Sequence, residues 1–258
     1  MRSLIARHGA IATVVPSMRE VALESNTAVF AFAESLLASR FDVLVFLTGV
    51  GARMLVEVAE TRFDRNTLLD AMRRTTIAAR GPKPAAVLRE WNVPIAIRAA
   101  EPNTWRELVE ALESAGAIAG RRIAVQEYGR ANSELYAELT RRGASVEPVP
   151  VYRWMLPEDL TPLRAAINDT IAGKFDILLF TSAQQVDSVL EVAAGDGKKE
   201  AWLKAAYRCE IASIGPTASE ALRDFGLPID IEANPTRMGQ LVRAAIEAAP
   251  AILESKGR

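Results

Sequence analysis

Phe41-Asp42-Val43-Leu44-Val45-Phe46 and Phe175-Asp176-Ile177-Leu178-Leu179-Phe180 are one segment written twice, 175 − 41 = 134 residues apart. Each is a short, unbroken apolar run opening on Phe-Asp, the pattern of a strand buried on both faces of a parallel sheet. The spacing persists outward from this pair. Upstream, Ile5-Ala6-Arg7-His8-Gly9-Ala10 matches Leu139-Thr140-Arg141-Arg142-Gly143-Ala144 at 143 − 9 = 134, and Pro16 matches Pro150 at the same offset. Downstream, Gly81-Pro82-Lys83-Pro84-Ala85-Ala86-Val87-Leu88-Arg89 matches Gly215-Pro216-Thr217-Ala218-Ser219-Glu220-Ala221-Leu222-Arg223, where 215 − 81 is again 134. Leu108-Val109 and Leu241-Val242 follow at 241 − 108 = 133, after a one-residue gap. Duplication of an ancestral unit accounts for all of these matches.

Within each copy the elements alternate. After the second apolar run, Val186, Val189, Leu190 and Ala193 recur at helical spacing. Ser182 with Gln185, Thr217 with Glu220 and Thr104 with Glu107 stand at capping-box spacing and predict helix starts. Strand, loop and helix in succession predict an α/β protein of two doubly wound, flavodoxin-like parallel-sheet lobes, with ligands held where loops leave the carboxyl ends of the strands.

The repeat also exposes an absence. Arg121-Arg122-Ile123-Ala124-Val125-Gln126-Glu127 reads as the strand opening the second copy, and its counterpart would fall at 121 − 134 = −13, ahead of Met1. In a flavodoxin-like sheet that first strand lies between its neighbours rather than at an edge. Without it, the strand expected near Ile11 to Val15 must pair directly with Ile177 to Phe180, or a gap with unpaired backbone groups remains. A form carrying roughly 14 further N-terminal residues is therefore expected to be the more stable and active one.

Composition excludes several function classes. Lys and Arg number 31 against 32 Asp and Glu, a formal charge of −1, so no basic excess points to nucleic acid. His8 is the only histidine and Cys209 the only cysteine, which removes an internal disulfide and any Cys/His metal cluster and suggests a reduced cytoplasm. No apolar run reaches the length of a membrane span, and the first eight residues are too polar for a signal peptide. Gly49-Val50-Gly51-Ala52-Arg53-Met54 follows a strand, but Met54 replaces the third glycine of a dinucleotide fingerprint, so a glycine-eased turn into a helix is the simpler account. A phosphate-cradling Gly-rich loop ending in Lys and Ser or Thr is missing, and no triad can be assembled.

What remains is a set of hydroxyls and glycines at strand ends: Thr48-Gly49, Thr181-Ser182 and Gly215-Pro216-Thr217. Helix capping alone could explain each. Helix N-termini also hold carboxylates through partly positive N–H groups, without any excess of Lys or Arg.

Phe180-Thr181-Ser182, Ile214-Gly215-Pro216-Thr217-Ala218 with Ala221-Leu222, and Pro235-Thr236 before a closing helix resemble the C-terminal half of uroporphyrinogen-III synthases. Gly143-Ala144-Ser145-Val146-Glu147-Pro148-Val149-Pro150-Val151-Tyr152-Arg153 is similar to that family's link between lobes. The resemblance implies a discontinuous lobe of residues 1–15 and 155–258, an inserted lobe of 22–148, and linker strands at 13–21 and 148–155. It also implies a reaction without cofactor or metal. Hydroxymethylbilane loses its terminal hydroxyl, the last pyrrole ring inverts, and the macrocycle closes as uroporphyrinogen III, in a cytoplasmic monomer.

Tyr152 matches the family's cleft tyrosine and would donate a proton to the departing hydroxyl, unless it is a buried structural tyrosine. Thr217 matches a family hydroxyl that contacts the tetrapyrrole, Thr181 and Ser182 lie on the adjoining loop, and these three with Gly215 are expected to bind the substrate. Thr48-Gly49 stands where many members have Thr-Ser, and Lys83 where many have threonine; Lys83, Arg53 and Arg130 could meet substrate carboxylates there. Two rivals remain: a non-catalytic relative that senses a tetrapyrrole, and a two-lobed binder of another anionic metabolite.

Overall fold

The computed structural model describes every residue except Glu24, Tyr128, Arg130 and Arg258. The chain opens with α1 (Arg2–Arg7), β1 (Arg19–Ala22), α2 (Thr27–Leu37), β2 (Val43–Phe46), α3 (Gly49–Ala59) and α4 (Arg65–Arg73). It continues through β3 (Thr76–Ala79), α5 (Pro82–Glu90), β4 (Ile97–Arg98), α6 (Trp105–Ser114), β5 (Arg122–Gln126), α7 (Ser133–Arg141), β6 (Ser145–Val149) and β7 (Tyr152–Met155). The remainder is α8 (Thr161–Ile171), β8 (Ile177–Phe180), α9 (Ala183–Gly195), α10 (Lys199–Ala206), β9 (Glu210–Ser213), α11 (Pro216–Asp224), β10 (Ile231–Glu232) and α12 (Met238–Ser255).

Two compact units result, Glu20–Trp154 and Met1–Arg19 with Met155–Arg258, here called the inserted and the terminal unit. The chain passes between them in β1 and β7, which pair as a two-stranded sheet. These strands are shorter than the expected linker: residues 13–18 belong to no strand, and Pro148 and Val149 belong to β6.

The inserted unit holds a five-stranded parallel sheet in the order β4-β3-β2-β5-β6. Counted from β5, this is the doubly wound order with the first strand flanked by the second and third. The strand Arg121 to Glu127, although it opens the second sequence copy, therefore completes the sheet of the first. Leu44 and Phe46 face a core formed with α2, α3, α4 and α5, whereas Val43 and Val45 face one formed with α6 and α7. All four residues of β2 are buried, which is why the run reads as continuously apolar.

Among the described residues the sheet of the terminal unit has three strands, in the order β10-β9-β8, all parallel. Its core packs α8, α9, α10 and α11 on one face, and α12 with Leu241 and Ala245 on the other. The two helix starts Pro82 and Pro216, and Gly49 and Ala183, keep the 134-residue offset, since 216 − 82 and 183 − 49 both equal 134. The strand expected at Ile11 to Val15 does not form: Ile11 is fully exposed and residues 10–18 carry no regular structure. Of the two outcomes left open by the repeat, the gap is the one realised. β8 is an edge strand.

Candidate functional site

In the inserted unit, Thr48 lies two residues past the end of β2 and caps α3. Its backbone is extended, its Oγ1 accepts from Gly51 N–H at 3.0 Å, and its own N–H donates to Gln126 Oε1 at 3.2 Å. The phenolic oxygen of Tyr152 lies 3.3 Å from Thr48 Oγ1, so the structure brings together two residues singled out by sequence. Tyr152 is 3% exposed and meets the Trp154 ring edge-on, with centroids 6.4 Å apart.

The glycines here have packing reasons. A Cβ on Gly49 would sit 3.0 Å from the Lys83 carbonyl, and one on Gly51 would overlap the Gln126 side chain. The Gly-x-Gly segment is thus accounted for by close approach of α3 to α5 and to the end of β5, without a dinucleotide. Sequence reasoning missed Gln126, the buried carboxamide that ties β5 to the start of α3; a glycine three residues beyond Thr48 was the only trace of it.

Cations gather at the carboxyl end of this sheet. Lys83 is exposed in the first turn of α5, Arg80 directly follows β3, and Arg98 ends β4. Arg80 and Arg98 were not foreseen, because only the strand bounds reveal which end of the sheet they occupy. The Arg53 guanidinium pairs with Glu90 at 2.5 Å, and hydrogen bonding to Arg53 holds the Glu90 carboxyl below its usual range. Arg130 lies outside the described residues.

In the terminal unit the corresponding rim is built from β8, β9 and β10. Thr181 donates through both its N–H (2.7 Å) and Oγ1 (3.2 Å) to Gln185 Oε1. The expected capping box at Ser182 is therefore replaced by this contact one residue earlier, and Ser182 Oγ is buried without a partner among the described residues. Thr217 is also not a cap. Gly215 occupies that position and Pro216 opens α11, whose fixed φ and missing N–H suit the first helical residue. Thr217 is left exposed in the first turn. Thr104, the third candidate, forms the complete box with Glu107.

A buried hydroxyl cluster, also missed, fixes the Gly215 turn. Ser213 Oγ donates to Gly215 O at 3.0 Å, and Ser219 Oγ lies 3.0 Å from Ser213 Oγ and 2.5 Å from Glu232 Oε2. Gly215 is itself constrained, since a Cβ there would stand 2.9 Å from the Thr236 methyl.

Both units are parallel α/β folds whose strand ends carry helix N-termini and hydroxyls, the end of the sheet at which doubly wound proteins hold their ligands. Residues 1–243 match the family described as uroporphyrinogen-III synthase HemD, and the chain belongs to that family. It is 30% identical over 245 residues to the uncharacterized protein YjjA of Bacillus subtilis, covering 93% of this chain and 88% of that one. A mutant uroporphyrinogen III synthase from the extremely thermophilic bacterium Thermus thermophilus shares the fold with a TM-score of 0.71 at 23% identity, covering 97% of this chain and 94% of that one. The wild-type form of that enzyme gives a TM-score of 0.55 at 25% identity, with 99% and 94% covered.

Proposed function

We propose that this chain is a uroporphyrinogen-III synthase, closing hydroxymethylbilane to uroporphyrinogen III with inversion of the last pyrrole ring and release of one water. The family match across residues 1–243 carries the reading. The chemistry asks little of the protein beyond positioning a flexible polycarboxylate and supporting loss of the hydroxyl. Lys83, Arg80 and Arg98 at one sheet end, and the N-termini of α9 and α11 at the other, suit the carboxylates. Thr48, Gly49, Thr181, Ser182, Gly215 and Thr217 form the walls at those ends, and Tyr152, supported by Thr48, is the proton donor to the departing hydroxyl.

Incubating the protein with hydroxymethylbilane and separating the products tests this directly. Isomer III in excess of the spontaneous product establishes the activity. One observation favours a second reading: Tyr152 is 3% exposed with its hydroxyl on Thr48, which suits a structural tyrosine in a chain that binds a tetrapyrrole without closing it. That regulatory relative would leave closure to isomer I while still binding uroporphyrinogen III.

A further inference from the structure

The duplication supplies an internal comparison at one place in each sheet. In the terminal unit Ser213 of β9 stands opposite Glu232 of β10; in the inserted unit Ala79 of β3 stands opposite Arg98 of β4. Both pairs keep the offset, since 213 − 79 and 232 − 98 equal 134. A third position follows them: Ser219 in α11 corresponds to Ala85 in α5, 219 − 85 = 134. Gly81-Pro82 and Gly215-Pro216 open these two helices through the same extended glycine. Two alanines, both buried, therefore suffice to build this strand-to-helix turn. The two serines and Glu232 do something that the turn itself does not require.

Their role is read from the donors. Each hydroxyl has one proton, and an ionised carboxylate only accepts. Ser219 Oγ donates to Glu232 Oε2 at 2.5 Å, a charge-assisted bond. Ser213 Oγ, 3.0 Å from Ser219 Oγ, donates to the Gly215 carbonyl and accepts the Gly215 N–H at 3.3 Å. The N–H groups of Ala218 and Ser219 converge on that same carbonyl, each at 3.1 Å. Gly215 is thus engaged through both its N–H and its C=O, and Pro216 has no N–H to give. Thr217 keeps the first N–H of α11, which makes no hydrogen bond among the described residues, beside its own exposed hydroxyl.

Given the uroporphyrinogen-III synthase reading above, on which this rests, we propose that Glu232 is a positioning residue: acting through Ser219 and Ser213, it fixes the Gly215 turn so that the N–H and hydroxyl of Thr217 are presented together to one carboxylate of the tetrapyrrole. Such a carboxylate is held alike in substrate and transition state. Losing its seat weakens uniform binding, which is felt in KM rather than in kcat.

Steady-state kinetics with hydroxymethylbilane, melting temperature and amide hydrogen exchange at Gly215 test this together. Glu232→Ala should raise KM about tenfold while kcat changes by less than about threefold. Exchange at the Gly215 amide should quicken by about tenfold, with little change in Tm. Glu232→Gln, whose carboxamide reaches Ser219 equally well, should return KM to within about threefold of the parent. Ser213→Ala with Ser219→Ala copies the inserted unit and should fold; it should raise KM as far as Glu232→Ala does. Adding Glu232→Ala to that pair should change nothing further, as for residues acting in one chain. Should Glu232→Ala not fold, Glu232→Arg with both alanines, the full set of the inserted unit, takes its place with the same expected KM.

A KM within about twofold of the parent in Glu232→Ala overturns the proposal. So does a Glu232→Ala effect that persists in full on the double-alanine background, or a Glu232→Gln form that binds more tightly than the parent, since the carboxylate would then act on the ligand by its charge. A parent that forms no isomer III overturns the function proposed above instead, and the same comparison is made on the Kd for uroporphyrinogen III. A parent that neither closes hydroxymethylbilane nor binds uroporphyrinogen III overturns both.

Discussion

Tyr152 shows how one side chain can be legible in sequence yet acquire its meaning only from its neighbours. The hydroxyl lies 3.3 Å from Thr48 Oγ1, which in turn accepts the Gly51 N–H. Tyr152→Phe keeps the ring and its packing while removing that hydroxyl. A stability loss of about 1 kcal/mol in denaturant melts is expected from the lost hydrogen bond. A proton-donor role adds a fall of roughly a hundredfold or more in ring-closure rate; a rate within about twofold of the parent would remove Tyr152 from the mechanism. Thr217 separates differently. Since Gly215, not Thr217, occupies the cap, Thr217→Ala should change stability by less than about 0.5 kcal/mol, and any loss in product affinity or turnover belongs to ligand contact. Gly51→Ala is expected to be harmful, because Gln126 fills the space the methyl would need; circular dichroism melts should show a loss of roughly 1–3 kcal/mol.

At the scale of elements, strands were read from their apolar runs and helices from their starts, with unequal success for a physical reason. Thr104 with Glu107 made its box because Thr104 is extended and the helix begins at the next residue. Thr217 with Glu220 has the same spacing, but Pro216 already occupies the first helical position, so local backbone chemistry overrides the side-chain pattern. Thr104→Ala should thus cost about 1 kcal/mol, read from the unfolding midpoint at unchanged m-value, whereas the same change at Thr217 should not. β8 gives the opposite lesson. Its sequence is that of a fully buried strand, yet three of its four residues are partly exposed, because burial belongs to the strand beside it as much as to the strand itself.

For the whole molecule, pH dependence hangs on Glu210, a carboxyl at the amino end of β9 that is 0% exposed and has no hydrogen-bond partner for either oxygen among the described residues. Burial, with the Asp230 charge adding to it and Lys256 opposing, pushes it up to about 7. The folded chain holds this proton more tightly than the unfolded one. Its contribution is complete below the ordinary glutamate range and is lost as pH rises through about 7, by at most about 3 kcal/mol. Glu210→Gln should flatten the fall in melting temperature between about pH 5 and about pH 8, and leave the variant the more stable form at the upper end. The sequence alone determined the duplication, the parallel α/β class, the strand-end hydroxyls and the lack of a cysteine–histidine metal cluster, because periodicity, glycine and proline chemistry and residue counts are local or additive properties. Only the tertiary structure decided that β5 and β6 complete the sheet holding β2, that Gln126 locks Thr48, that Arg80 and Arg98 share a rim with Lys83, and that β8 stands at an open edge. Each of these depends on which distant backbone groups pair, and hydrogen-bond pairing between strands is a relation among segments that no single segment encodes.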